Sequence, residues 1–436
     1  MTEADVASPR VVMVVNNGIV HDARVLKSAH TMARAGADVV VLGVAPPGRR
    51  RDDATSGGVH FTRLPVVPAR APSMGYVRWA ATRRLGRLGR ATRWRRSLPV
   101  TRSYAKAFVP ELRRLVPDVV HVHDVHLLGA VHEAFAGAPG APVVVYDAHE
   151  YVASLAVAGA RTQRAVDGWA ALEREFIREA DRVVTVSPGI AERIRLDHGL
   201  ATTPAVVYNA PLVWPNPHAS RDLRAEAGVT TDQRLVVYSG ALSAARGVET
   251  VVRTLPLLPS VVLAVVAVPY PHPMARALLE LAGDLGAGER LRFVPPVPSH
   301  EVPAYLSTAD VAVSPIIGTS VSYDMALPNK LFEFIHAGLP VVTSDIAAMS
   351  AFVREHRLGE VFRQGDPASC GDALRRVLAS PPAPAPAALR EEFSWQGQEA
   401  ALVDVYRRLQ ERVPSLAALR TPTAPWSEED LLLEFA

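Results

Sequence analysis

Ala326-Leu327-Pro328-Asn329-Lys330-Leu331-Phe332-Glu333-Phe334-Ile335-His336-Ala337-Gly338-Leu339-Pro340-Val341-Val342 is the most informative stretch of this chain. Pro328 suits the first turn of a helix, Gly338 its C-terminal stop, and Pro340 the opening of a strand at Val341–Thr343. A helix feeding directly into a short β-branched run is the repeating unit of an α/β protein. Outward from here the same alternation continues almost throughout. Strands are expected at Val11–Val15, Val39–Leu42, Val119–Val122, Val143–Tyr146, Arg182–Val186 and Ala205–Tyr208. Further strands are expected at Leu235–Tyr238, Val261–Ala267, Leu291–Phe293 and Val311–Ser314. Runs this apolar are buried on both faces, which calls for a parallel sheet covered by helices on each side.

Eleven strands are too many for one compact sheet, and the prolines at 211, 215 and 217 punctuate the chain near Asn209–His218. The expected architecture is two doubly wound domains, residues 1–212 and 213–393, with 394–436 forming a closing helix and tail. A (β/α) barrel ranks second, because eight strands would run without this break. Doubly wound sheets bind ligands beyond the carboxyl ends of their strands, so facing domains would hold a ligand in the cleft between them. Residues 70–107 form a basic insertion, and 380–388 a stiff proline-rich linker. The tail from Pro422, which ends in the segment from Trp426, reads as a short docked amphipathic helix or a frayed end.

Composition narrows the function. The 436 residues are 49% hydrophobic, 21% charged and 6% aromatic, a globular balance that excludes a disordered or fibrous chain. Lys+Arg 47 against Asp+Glu 44 leaves a net charge of +3, too little for a general nucleic-acid coat. Lys27, Lys106 and Lys330 are the only lysines, so an isolated arginine carries little information. One cysteine, Cys370, permits no intrachain disulfide or cysteine-based zinc cluster. The N-terminus lacks the order of a signal peptide and no apolar run is long enough to span a bilayer, so a cytoplasmic protein is expected.

The candidate chemistry follows strands. Asn17-Gly18 permits a tight turn with positive φ after the first strand, with Asp22 as cap of the helix from Ala23. Exposed amides there would attract an anion, and a plain strand–helix turn explains them equally well. His121-Val122-His123-Asp124-Val125-His126 and Asp147-Ala148-His149-Glu150 close two further strands. His121 and His123 would share one strand face, yet no metal-binding spacing accompanies them. Polar side chains lining a cleft are the simpler reading. In the second half, Gly240 begins a small flexible loop and Arg246 stands just before a helix, where it would clamp a diphosphate or sit in solvent. Lys330 and Glu333, three apart in a first turn, can lie on one side of the helix N-terminus. No Asp-x-Asp stands at a strand end, so a site without metal or other cofactor is expected.

Taken together, these segments resemble the retaining glycosyltransferases of family 4, with the two-domain GT-B architecture. The likeness extends over roughly residues 10–412. It rests on Asp22–Lys27, Asp147–Glu150, Ala180–Ser187, Arg246–Glu249, Thr308–Val311 and above all Leu327–Val342, with Phe393–Trp395 and Tyr406 matching the closing helix. The resemblance implies a nucleotide-activated sugar held mainly by the C-terminal domain. It places Glu333 at the ribose hydroxyls, Arg246 at the diphosphate, and the amides of Lys330 and Leu331, after Asn329, at the same phosphates. Gly18, next to Asn17, would lie close to phosphate and acceptor. His149 would hydrogen-bond the donor sugar. Asn209 sits where the interdomain motif begins. Two departures stand out: Met325 occupies the position of the first acid of the paired-glutamate motif, with Asp324 adjacent, and Ala241 follows Gly240 where many relatives carry arginine. Lys330 is expected to supply the missing positive charge.

Between Arg78 and Lys106 lie ten basic residues and no acid, interleaved with Trp79, Leu85, Leu88, Trp94 and Leu98. This suits an anionic membrane surface or a lipid diphosphate acceptor, and equally a solvated helix packed on its own domain. The sequence thus points to a metal-independent, retaining glycosyltransferase, cytoplasmic or peripheral at the inner membrane face. It would move a hexose or N-acetylhexosamine from UDP to a hydroxyl of a glycan, lipid-linked or natural-product acceptor. A nucleotide-sugar 2-epimerase and a catalytically silent nucleotide-sugar-binding subunit are the alternatives.

Overall fold

The computed structural model describes residues 8–67, 94–157, 161–214, 218–427, 430, 433 and 435. The chain divides into two compact units, Met1–Val207 with Glu399–Ala436, and Tyr208–Gln398. The first crossing falls five residues before the expected boundary at 212/213. The second falls within the helix Trp395–Arg407 rather than at 393/394.

The first unit carries β1 (Arg10–Val14), β2 (Asp38–Val44), β3 (Asp52–Ser56), β4 (Val59–Leu64), β5 (Val119–His123), β6 (Val143–Ala148), β7 (Arg182–Thr185) and β8 (Ala205–Val206). They form one sheet in the order β3-β4-β2-β1-β5-β6-β7-β8. Every pairing is parallel except β3 with β4. Strand order reverses between β1 and β5, so the switch point lies beyond Val14 and His123. Helix α1 (Ala23–Arg34) follows β1, and its cap Asp22 accepts from the Val25 amide as expected. Among the other helices are α2 (Val100–Leu115) and α3 (Gln163–Phe176).

The second unit holds β9 (Arg234–Ala241), β10 (Val261–Val268), β11 (Leu291–Val294), β12 (Val311–Ser314), β13 (Val341–Ser344) and β14 (Gly359–Phe362). All pairings are parallel, in the order β11-β10-β9-β12-β13-β14, and the switch point lies between β9 and β12. Along β9, Leu235 and Val237 enter one hydrophobic cluster while Val236 and Tyr238 enter another. That alternation is the period of a strand covered on both faces, each fully buried Val or Leu contributing about 1.5–3 kcal/mol. Helix α4 (Val248–Thr254) packs on the second cluster, and α5 (Asn329–His336) packs Leu331, Phe332, Phe334 and Ile335 into the first. Pro328 is the N-cap of α5 rather than its first residue, and Gly338 takes φ +71° beyond its end.

The eleven expected strands are present, and β3, β4 and β14 are additions. β3 and β14 are sheet edges, half-exposed, so an apolar-run criterion passes over them. β3 pairs by charge instead: Asp52 faces Arg63 of β4 across an ion pair of 2.5 Å. β4, although largely buried, interrupts its apolar residues with His60, Thr62 and Arg63. The proline-rich segment gives way to a helix at Ala387–Glu392. Helix α6 (Trp395–Arg407) closes the chain, with Trp395 fully buried and its amide donating to Pro211 O at 2.8 Å. In the tail, Trp426 is buried: Arg34 lies 4.6 Å over its ring and its Nε1 donates to Glu399 Oε1 at 3.2 Å.

The basic insertion lies largely outside the described residues, including Trp79, Leu85 and Leu88. Trp94 and Leu98 are buried, Trp94 Nε1 donating to Glu175 Oε2 at 2.5 Å and its ring set against Phe176. These two side chains belong to the core beside α3 and present no face to a membrane. Among the described residues no helix is long and apolar enough to cross a bilayer.

Candidate functional site

In the second unit, the residues singled out by sequence gather at the β9/β12 switch point. Gly240, the last residue but one of β9, takes φ +122°, and the chain turns through Ala244–Arg246 to Gly247 at φ +66°. A Cβ at Gly247 would lie 1.8 Å from Pro315 O, so only glycine lets the β9 and β12 loops touch. Ile317 N donates to Ala245 O at 2.9 Å and fastens the same two loops. This fixes the turn that carries Arg246, whose guanidinium carbon lies 5.6 Å from the centre of the Tyr323 ring.

Lys330 comes to this point from α5. Its side chain is only 8% exposed, and Nζ lies 4.0 Å from the centre of the Tyr238 ring. No acceptor among the described residues meets that ammonium. Burial, reinforced by Arg246 and opposed by Glu333, lowers its pKa to about 7. Lys330 Nζ also lies 3.3 Å from where a Cβ on Gly240 would sit, so the missing side chain makes room for the amine. Glu333 is half-buried one turn further on, and Asn329 is exposed. Leu331 differs from expectation: its amide donates to Pro328 O at 2.9 Å, so it is spent on the helix's own first turn. Met325 ends a short helix, Val321–Met325, in which the adjacent Asp324 is exposed. Tyr238 and Tyr323 were not singled out from sequence, since Tyr238 closes an apolar run and reads as core.

In the first unit the counterpart lies at the β1/β5 switch point and the neighbouring end of β6. Asn17 Oδ1 accepts from the Ile19 amide at 2.8 Å, and its Nδ2 donates to Asp22 at 2.8 Å. The positive φ expected at Gly18 belongs instead to Ile19, at +70°. The buried Ile19 side chain pulls its residue inward, leaving Gly18 exposed.

Below this loop lies an ion network. Asp147, at the end of β6 and 1% exposed, accepts from Arg24 of α1 through Nε at 2.7 Å and Nη2 at 2.8 Å. Burial opposes its charge, but Arg24 and the surrounding histidines outweigh it and hold the carboxyl well below its usual range. His149 Nε2 stands 3.2 Å from Asp147, and its Nδ1 3.5 Å from Asp124. Burial would lower the His149 pKa, yet the two carboxylates raise it to about 9. His121 and His123 do share a strand face, their rings stacked at 4.3 Å. They do not line a cleft, as the sequence suggested; both are fully buried. Burial lowers both, His123 to about 3, so they are neutral. His121 Nδ1 meets Tyr406 OH of α6 at 2.6 Å. His121, His123 and Asp147 bring three donor atoms within 4.8 Å of one another. Arg24 already supplies the positive charge that Asp147 needs, through both carboxylate oxygens. The Asp147 carboxylate is thus paired within the protein, while His121 Nε2 and His123 Nε2 are buried without a hydrogen-bond partner among the described residues.

Two family models match. Residues 21–210 fit a glycosyl transferase 4-like domain and residues 233–380 fit the glycosyl transferases group 1. The chain belongs to this glycosyltransferase family, and its fold is GT-B. Relatives include the D-inositol 3-phosphate glycosyltransferases of Mycobacterium bovis and Mycobacterium tuberculosis, 26% identical over 247 residues. That match takes in 54% of this chain and 50% of each relative, so the chain spans about half the length of these curated relatives. Sucrose-phosphate synthase from Thermosynechococcus elongatus superposes with a TM-score of 0.73 at 19% identity, over 92% of this chain and 99% of its own. Anabaena HepE, solved in complex with UDP, gives a TM-score of 0.58 at 14% identity, over 93% of this chain and 100% of its own.

Proposed function

We propose that this protein is a retaining, metal-independent glycosyltransferase that moves a hexose or N-acetylhexosamine from UDP to an acceptor hydroxyl. The acceptor is a glycan, a lipid-linked intermediate or a small molecule, met in the cytoplasm or at the inner membrane face. The observation that carries this reading is Lys330: a buried ammonium with no acceptor, beside Gly240 and Arg246, at the point where a doubly wound sheet takes its ligand. An anionic diphosphate supplies the missing partner. Breaking the bond between anomeric carbon and phosphate builds negative charge on the departing oxygens, and positive groups already in place lower that barrier. Lys330 and Arg246 serve this purpose. The charge of Lys330 stands in for the arginine that Ala241 replaces, and no metal is required. Glu333 holds the ribose hydroxyls and His149 the donor sugar. Gly18, exposed after β1, lies near the acceptor. The acceptor hydroxyl attacks from the face being vacated, and its proton passes to the leaving phosphate.

Thermal stabilisation by a panel of nucleotide sugars tests the donor, since a ligand that binds only the folded state raises the melting temperature. UDP release and product anomeric configuration, measured in EDTA, test transfer, retention and metal independence together. Met325 in place of the first motif acid favours a second reading, a sugar-nucleotide-binding subunit without transfer. UDP binding with no product from any acceptor pool would establish it.

A further inference from the structure

Asp124 holds a backbone conformation that side chains avoid. It sits at φ 62°, ψ 163°, a region populated almost only by glycine, immediately after β5. Its amide donates to Asp147 O at 3.0 Å, which pins the strained residue to the end of β6. The consequence is the position of its carboxylate, 3.5 Å from His149 Nδ1. On the other side of the same ring, Asp147 takes Nε2 at 3.2 Å, and Asp147 is itself gripped by Arg24. A neutral imidazole has one N–H and cannot donate towards carboxylates from both nitrogens, whereas an imidazolium can.

We propose that Asp124 is a positioning residue that keeps His149 in its doubly protonated form, with Nδ1–H as the donor offered to the sugar substrate. This rests on the glycosyltransferase reading for what His149 contacts. The two carboxylates divide the work by distance. Asp147 is close enough to hold the ring in place by a hydrogen bond. Asp124 is too far for a good hydrogen bond but near enough to favour positive charge, so Nδ1–H stays available to a ligand hydroxyl. The ring is still 17% exposed on its side chain, and Asp124 30%, so a ligand can reach this edge.

The other charged and titratable groups do not supply the effect. Arg24 opposes a charge on His149, and His123, 3.3 Å away at Nε2, is neutral with His121 behind it. Burial raises the pKa of Asp124 above its ordinary value; His149 and then His126 favour its carboxylate, while Asp22 and Glu150 oppose it. Burial, Asp124 and Asp147 decide the outcome, and the His149 ring titrates near 9.

The test is a histidine NMR titration of the full chain without ligand, with His149→Gln to assign the signal, alongside pH–rate profiles of sugar transfer. In the wild type, His149 stays charged to about pH 9. Asp124→Asn should lower that midpoint by at least about one pH unit, the size an opposite charge within a few ångströms produces. Its transfer rate should fall least near pH 6 and most near pH 9, by roughly fivefold there for a one-unit shift. Asp124→Gly removes the carboxylate and relaxes the backbone; it should shift the midpoint equally while melting no lower than wild type. An unmoved midpoint in both variants overturns the proposal, as does a rate loss of the same factor at every pH. If the wild type transfers no sugar at all, the proposed function fails, and the NMR midpoint still decides the role of Asp124.

Discussion

Lys330 Nζ lies 4.0 Å from the centre of the Tyr238 ring, buried beneath the Gly240 turn with no hydrogen-bond acceptor among the described residues. The free protein therefore carries an electrostatic cost that an anionic ligand relieves. Lys330→Met should raise stability by about 1–3 kcal/mol while weakening nucleotide-sugar binding at least tenfold. The gain should depend on pH. The folded amine loses its proton near pH 7 and the unfolded one near about 10.4, so the unfolded chain holds more protons in that window and wild-type stability rises with pH across it. The advantage of Lys330→Met is thus greatest below pH 7 and fades towards pH 10. Melting curves at several pH values and calorimetry with UDP check both parts; retained UDP affinity would remove Lys330 from the site.

Gly240→Ala should be felt by both stability and binding. The new methyl would meet Lys330 Nζ at 3.3 Å in a backbone with φ +122°. A loss of about 1–3 kcal/mol is expected, together with weaker UDP binding. Gly247→Ala should be worse, because its methyl meets the Pro315 carbonyl oxygen at 1.8 Å and no side chain can move aside. Soluble yield and melting temperature will rank the two variants.

Arg24→Gln should destabilise the protein by about 3–5 kcal/mol at neutral pH, because it strands the buried Asp147 carboxylate. In the wild type the depressed Asp147 pKa contributes stability above the unfolded value of about 3.9 and loses it as pH falls through the folded value. The difference between variant and wild type should therefore shrink in acid. Denaturant midpoints at pH 7 and at about pH 2.5, below the unfolded value, measure it.

Tyr406→Phe removes the hydroxyl that meets His121 Nδ1 at 2.6 Å and should cost about 0.5–1.5 kcal/mol. Trp426→Ala should loosen the tail from α1, where the indole stacks under Arg34 and donates to Glu399. Faster amide exchange in α1 and at Glu399 would report that release, and unchanged exchange would show that the tail is dispensable.

Much of the architecture was legible because buried parallel strands are written as continuous apolar runs. Val261–Val268, with all but its last residue buried, could hardly be anything else. β3 and β14 escaped because an edge strand has one neighbour and carries polar residues, as Asp52 and Asp53 do. Arg246, Gly240, Lys330 and Glu333 could be named as candidates because they follow strand ends and helix starts. Tyr238 could not, since a tyrosine closing an apolar strand looks like packing until the amine above it is seen.

The order of strands and helices, the stops at Gly338 and Pro340, and membership of the family follow from local patterns, which each segment carries regardless of its surroundings. The state of the charged groups does not. Arg24 meets Asp147 across 123 residues of chain, and Tyr406 meets His121 across 285. Whether a histidine is an imidazolium or a lysine is stripped of water depends on what the fold brings within a few ångströms and what it excludes. Coulomb energy and desolvation depend on distance in space, and only the folded chain sets that distance.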